Sequence, residues 1–178
     1  MLAVRQSTAP ASKPPVSLQM RDRAGRAGRL AQQWGAGNGE EAFRALSGRN
    51  FSWEAVGDFL ERIDVSDLTL DAASTLAECA ERWLKACCAA ESDRAGEVCV
   101  LVVDACESAL DAHGPAIAAA SGAPALGVDL SREDRVRRCA EAQQRFRAVA
   151  AACAGVAFFG EASARASKFA ARCGELFP

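Results

Sequence analysis

One run of residues limits the fold more than any other. Between Leu70 and Ala90, the apolar side chains Leu76, Cys79, Ala80, Trp83, Leu84 and Cys87 recur three and four positions apart. That spacing follows one face of an α-helix, which turns once every ~3.6 residues. The next stretch, Asp93 to Ala112, holds Val98, Val100, Leu101, Val102 and Val103 and is apolar on nearly every side. A helix of that kind is expected at the centre of its domain. Its β-branched residues would also suit a strand, but Cys106, Ala109 and Leu110 carry on the helical spacing. Nowhere does the chain alternate apolar and polar residues in the two-residue repeat of a half-buried strand.

The flanking segments read as helices too. Residues 1–16, with Pro10, Pro14 and Pro15, form a flexible Pro/Ser-rich linker, because three prolines forbid a continuous helix. Residues 17–178 form the helical domain. Its first helix is expected from Ser17 to Trp34 despite Gly25 and Gly28, each costing about 1 kcal/mol against Ala. Two glycines a turn apart suggest close packing against another helix. Gly35, Gly37, Asn38 and Gly39 make a turn where positive φ is cheap. A short helix follows from Glu40 to Leu46. Ser52 is expected to cap a third through Ile63 that buries Val56, Phe59, Leu60 and Ile63.

Gly114-Pro115 is expected to break the fifth helix, with a turn or two more up to Ala120 and a loop over 122–130. Ser131 then caps a sixth helix reaching Ala154, with Val136, Cys139, Phe146, Val149 and Cys153 inward and its arginines mostly outward. A last helix spans Glu161 to Leu176, with Ala162, Phe169 and Cys173 in register. Abundant alanine and an aromatic content of 6% agree with closely packed helices. The expected fold is all-α: an antiparallel helical bundle of about six or seven helices, stacked as in armadillo or HEAT proteins.

Composition narrows the function. The net charge of −2 gives no general attraction to nucleic acid. The charge is uneven, however. No acidic residue precedes Asp22, while Arg5, Lys13, Arg21, Arg23, Arg26 and Arg29 lie in the first thirty positions. A second basic group comprises Arg132, Arg135, Arg137, Arg138, Arg145 and Arg147. Such patches suit an acidic protein surface. The most apolar run, Val98 to Leu110, is interrupted by Asp104 and Glu107, so no membrane span is expected.

Eight cysteines lie in apolar stretches without CxxC pairs, and no apolar leader suggests an oxidising compartment. They read as small buried hydrophobes, and His113 alone could join them on a metal. There is no GxxxxGK[ST] loop. The glycines at 35–39 follow a helix, not the strand a nucleotide cradle needs. Neither a catalytic set nor a cofactor or metal is expected.

Two segments carry a resemblance. Leu126-Gly-Val-Asp-Leu-Ser-Arg-Glu-Asp-Arg135, continuing Val-Arg-Arg-Cys139 to Phe146, is similar to a Gly-Val-Asp-Ile-Ser-Arg-Glu-Glu-Arg-Leu stretch followed by a basic residue and cysteine. That stretch belongs to the C-terminal domain of katanin's WD-repeat regulatory subunit. Met20-Arg-x-Arg23, then Trp34, Gly37-Asn38 and Ala42, resembles the same family's helix ending in Trp before Gly-Asn-x-x-x-Ala. The likeness spans roughly Met20 to Ala154, is specific in the Gly-Val-Asp-Leu-Ser-Arg-Glu segment, weak in the Trp–Gly-Asn segment taken alone, and loose after Ala154.

The resemblance implies a non-catalytic domain docking on the N-terminal helical bundle of the katanin catalytic ATPase. It implies microtubule binding, control of severing, and contact with spindle-pole or minus-end proteins. The place would be the cytoplasm and cytoskeleton: microtubules, the spindle pole or centrosome, and a cilium or flagellum axoneme. Leu18, Arg23, Leu30, Trp34 and Asn38 are the expected partner-binding residues. Arg21, Arg26, Arg29, Arg132, Arg135, Arg138 and Arg145 are the expected microtubule-binding ones. A stand-alone protein and a piece of a longer subunit both fit. The alternative is a helical scaffold of an unrelated, organellar assembly, favoured by the acid-poor N-terminus.

Overall fold

The computed structural model describes residues 21, 25, 28–30, 32, 34–35, 37–48, 52–90, 92–121, 130–155 and 160–178. Those from 21 to 35 are helical at each described position and are termed α1. Six further helices follow: α2 (Gly39–Leu46), α3 (Trp53–Leu60), α4 (Leu70–Ala89), α5 (Asp93–Ser121), α6 (Leu130–Gly155) and α7 (Glu161–Leu176). No strand occurs among the described residues, so the chain is an all-α helical bundle. The expected linker over 1–16 and residues 122–129 of the expected loop lie outside the described residues, while Leu130, expected in that loop, already belongs to α6.

Side-chain caps set three of the helix starts. Ser52 Oγ accepts from the Ala55 N–H at 3.4 Å and opens α3. Thr69 Oγ1 accepts from the Ala72 N–H at 3.2 Å and opens α4, and Ser92 Oγ does the same for Ala95 at 3.2 Å ahead of α5. Each bond satisfies an N–H that the first helical turn leaves without a partner. The sixth expected helix starts one residue earlier than its expected cap, Ser131. α6 begins at Leu130, so Ser131 is already helical in the first turn. α3 stops at Leu60, short of Ile63. Asp64 Oδ1 accepts from the Ser66 N–H at 2.9 Å, turning the chain there instead.

The largest difference from expectation is α5, which passes through Gly114-Pro115 and ends at Ser121. A proline inside a helix costs about 3 kcal/mol, so something must hold the last turns. Ile117 is fully buried, and that burial returns roughly 2–3 kcal/mol. Gly114 lies under α7: a Cβ there would stand 2.9 Å from Leu176 Cδ1. Both contacts are tertiary, and local punctuation does not foresee them.

α5 is the central helix. Val98, Val102, Cys106, Ala109 and Leu110 are buried, and α5 packs on α3, α4, α6 and α7. α4 and α5 pack as one hairpin, and α6 and α7 form a second hairpin stacked on it. Helices in matching places run parallel: α6 lies along α4 and α7 along α5. The ion pairs described below advance along both partners together. Matching helices also run parallel in stacked-hairpin solenoids. At the other end, Trp34, Phe43, Phe59 and Trp83 form a cluster of edge-on and tilted rings with centroids 5.2–6.3 Å apart. This geometry adds to what burying their area contributes.

Candidate interaction surfaces and a thiol-lined groove

The expected partner-binding residues fall into three groups. Leu18 and Arg23 lie outside the described residues. Leu30 is buried, 6% exposed, within the chain's own core. Trp34 is half-buried, with its ring edge-on to Phe43 at 5.2 Å and to Phe59 at 6.0 Å. Both side chains thus serve this chain's own packing. Asn38 is exposed, and its backbone carbonyl accepts from the Ala42 N–H at 3.2 Å while its side chain makes no capping bond to α2.

The opposite side of α1 is open. Arg21, Gly25, Gly28, Gln32 and Gly35 are all exposed, and their spacing of four, three, four and three places them on one stripe. A Cβ added at Gly28 or Gly35 would meet nothing within 4 Å, and at Gly25 only the Arg29 guanidinium at 3.7 Å. These glycines therefore make no close packing within the described chain.

Among the expected microtubule-binding arginines, Arg21, Arg29 and Arg135 are exposed and Arg132 is half-buried. Arg26 lies outside the described residues. Arg138 and Arg145 are turned inward, to α4. Arg138 grips Asp71 with two nitrogens, the Nε bond measuring 2.8 Å. Arg145 sits 3.0 Å from Glu78 and donates to Ser74 Oγ at 2.8 Å. The sequence offset is 67 for both ion pairs. A second seam joins α5 to α7: Asp104–Arg165 at 3.2 Å, Glu107–Lys168 at 2.7 Å, and Asp111–Arg172, each offset by 61. Exposed pairs of this kind contribute at most about 1 kcal/mol each, yet together they set how the hairpins register. Glu107 is the buried member, 8% exposed. Burial raises the Asp104 carboxyl above its ordinary value, with the Arg165 guanidinium opposing the shift.

Where α4 ends and α5 and α7 begin, an open groove of about 1110 Å³ is bounded by Glu61, Cys88, Glu97, Leu101 and Ala162. Cys88 is the one cysteine of the eight that is not buried. Its Sγ stands 4.0 Å from the Cys99 Sγ. Burial pushes the Cys88 thiol up to about 12, helped by the neighbouring Cys99. The Cys99 thiol is raised as well, by its hydrogen bond with Cys87 and by burial. The remaining thiols fill the core, and Cys79 and Cys173 donate weakly to the Phe43 and Phe146 carbonyls.

His113 Nε2–H donates to the Leu68 carbonyl at 2.7 Å, which ties α5 to the turn before α4. The described residues hold no cluster of three or more potential metal ligands, and no described helix is long and apolar enough to cross a membrane. No family model, curated protein or solved structure matches this chain.

Proposed function

We propose that this chain is a non-catalytic regulatory domain that pairs with the N-terminal helical domain of the katanin catalytic ATPase, supports microtubule binding and tunes severing. The observation that carries this reading is the segment Gly127-Val-Asp-Leu-Ser-Arg-Glu133, similar to the katanin regulatory family. The exposed glycine stripe of α1 supports it. A helix lacking side chains along a three-and-four stripe lets a partner helix approach closely. Since Leu30 and Trp34 are occupied at home, the docking face is Gly25, Gly28, Gln32 and Gly35, with Arg21 and Arg29 at its edges. Arg29 and Arg135 are the arginines for acidic tubulin, and such contacts are weak and salt-sensitive.

The test mixes the full chain with the ATPase's N-terminal bundle at micromolar concentration on a size-exclusion column. The expected result is a shared peak, lost on Gly28→Leu. That substitution enters open space and raises helix propensity, so folding survives. Two separate peaks from the folded wild-type chain would end the proposal.

A further inference from the structure

We propose that Cys88 and Cys99 form a reversible dithiol–disulfide site that reacts, through the groove, with small disulfides and prefers cationic ones to anionic ones. Three observations meet here. Cys88 is the only cysteine of the eight that is not buried, it lines the groove, and a second sulfur lies 4.0 Å away. A disulfide requires about 2.05 Å between sulfurs, a gap that side-chain rotation and a small shift of the hairpin can close. Cys88 lies one residue before the end of α4, where the backbone gives most easily. Each of the other six thiols is buried.

The chemistry balances without a metal or cofactor. The Cys88 thiol releases its proton to water, and the thiolate attacks one sulfur of the small disulfide. The S–S bond breaks, half of the reagent remains on Cys88, and the other half leaves as a thiolate that takes up a proton. The Cys99 thiol then gives its proton to water, and its thiolate attacks the Cys88 sulfur and expels the second half as a thiolate that takes up a proton. Two protein thiols are oxidised to one disulfide while one small disulfide is reduced to two small thiols. The raised thiols make this slow at neutral pH, because only the thiolate attacks; the rate climbs about tenfold per pH unit below the Cys88 value.

The groove's charge selects among reagents. Among the described lining residues, Glu61, Asp93, Glu97 and Glu161 stand against one cation, Arg94, whose guanidinium is already held by Glu61 at 2.7 Å and Glu97 at 2.8 Å; beside the groove, Arg165 pairs with Glu161 at 3.3 Å. The net field is negative and draws cations.

The experiment treats the reduced full chain at pH 8.5 with cystamine or with glutathione disulfide, after circular dichroism shows it folded. Intact mass and peptide maps are the readout. The expected product is about 2 Da lighter, with a Cys88–Cys99 cross-link that dithiothreitol reverses. Cystamine should react roughly tenfold faster at low salt, with the gap closing as salt is added. Cys99→Ser should stop at a cystamine adduct on Cys88, Cys88→Ser should give neither adduct nor link, and Cys87→Ser should still close. A link through Cys87, a permanent adduct on the wild-type chain, no reaction, or equal rates for the two reagents would each overturn the proposal.

Discussion

Gly57 offers the sharpest test of how α3 seats on α5. A Cβ at this position would stand 2.5 Å from Val98 Cγ2, where carbon atoms ordinarily keep about 3.5–4.0 Å. Val98 is fully buried and β-branched, so it cannot rotate away. Gly57→Ala gains about 1 kcal/mol of helix propensity, but an approach this close to a side chain that cannot give costs about 2–3 kcal/mol, the upper part of the range for overpacking. The expected net loss is about 1–2 kcal/mol. Val98→Ala alone removes two buried methyl equivalents and costs about 2 kcal/mol. With Val98 truncated, the new Cβ at position 57 enters vacated space and the propensity gain returns. The double variant should therefore be about 2–3 kcal/mol more stable than the sum of the single effects. Urea unfolding at 25 °C, with unchanged m-values, reads all four corners of the cycle. If Gly57→Ala is neutral, or the two effects simply add, the close approach of α3 and α5 is refuted.

Two further outcomes follow from the core and the charge seams. Trp34→Ala should lower stability by about 2–4 kcal/mol, since it strips two edge-on ring contacts from the aromatic cluster; a thermal melt unchanged within 2 °C would deny that packing. Asp104 has a folded-state value above its unfolded one, so its charge costs stability once the pH rises above the ordinary aspartate value. Relative to the wild type, Asp104→Asn should therefore gain stability as pH climbs through the acid range from ~4. Urea midpoints from acid to neutral pH check the sign, and a variant that falls behind as pH rises would show that the pair with Arg165 outweighs burial.

Helical repeat in the sequence was enough to place α4 and α7, because their buried faces recur locally: Leu76 to Cys87 in one, Ala162 to Cys173 in the other. The continuation of α5 through Pro115 was hidden, since Ile117 is buried by tertiary packing and Gly114 lies against Leu176, some sixty positions away. The same distance concealed both charge seams. Arg138 and Arg145 look outward on α6 taken alone, and only the stacked hairpin gives them Asp71 and Glu78. Periodicity also leaves open which surface a buried face meets. Leu30 and Trp34 read equally well as anchors for another chain, yet they complete this one. Cys88 looked like seven other cysteines until the end of α4 set it apart.

The two charge seams act on the stack as a detent. Sliding the α6–α7 hairpin one turn toward the end of α4 would carry Arg145 from Glu78 to Arg82 and strip Arg138 of Asp71, while Arg172, already 3.8 Å from Glu107, would pass to that carboxylate from Asp111. Sliding it the other way would carry Arg138 toward Asp67 and Lys168 toward Asp111 but strip Arg145 of Glu78. Either displacement keeps some opposite charges together and parts others, so a force along the helix axes meets resistance in both senses, and only one register closes both seams at once.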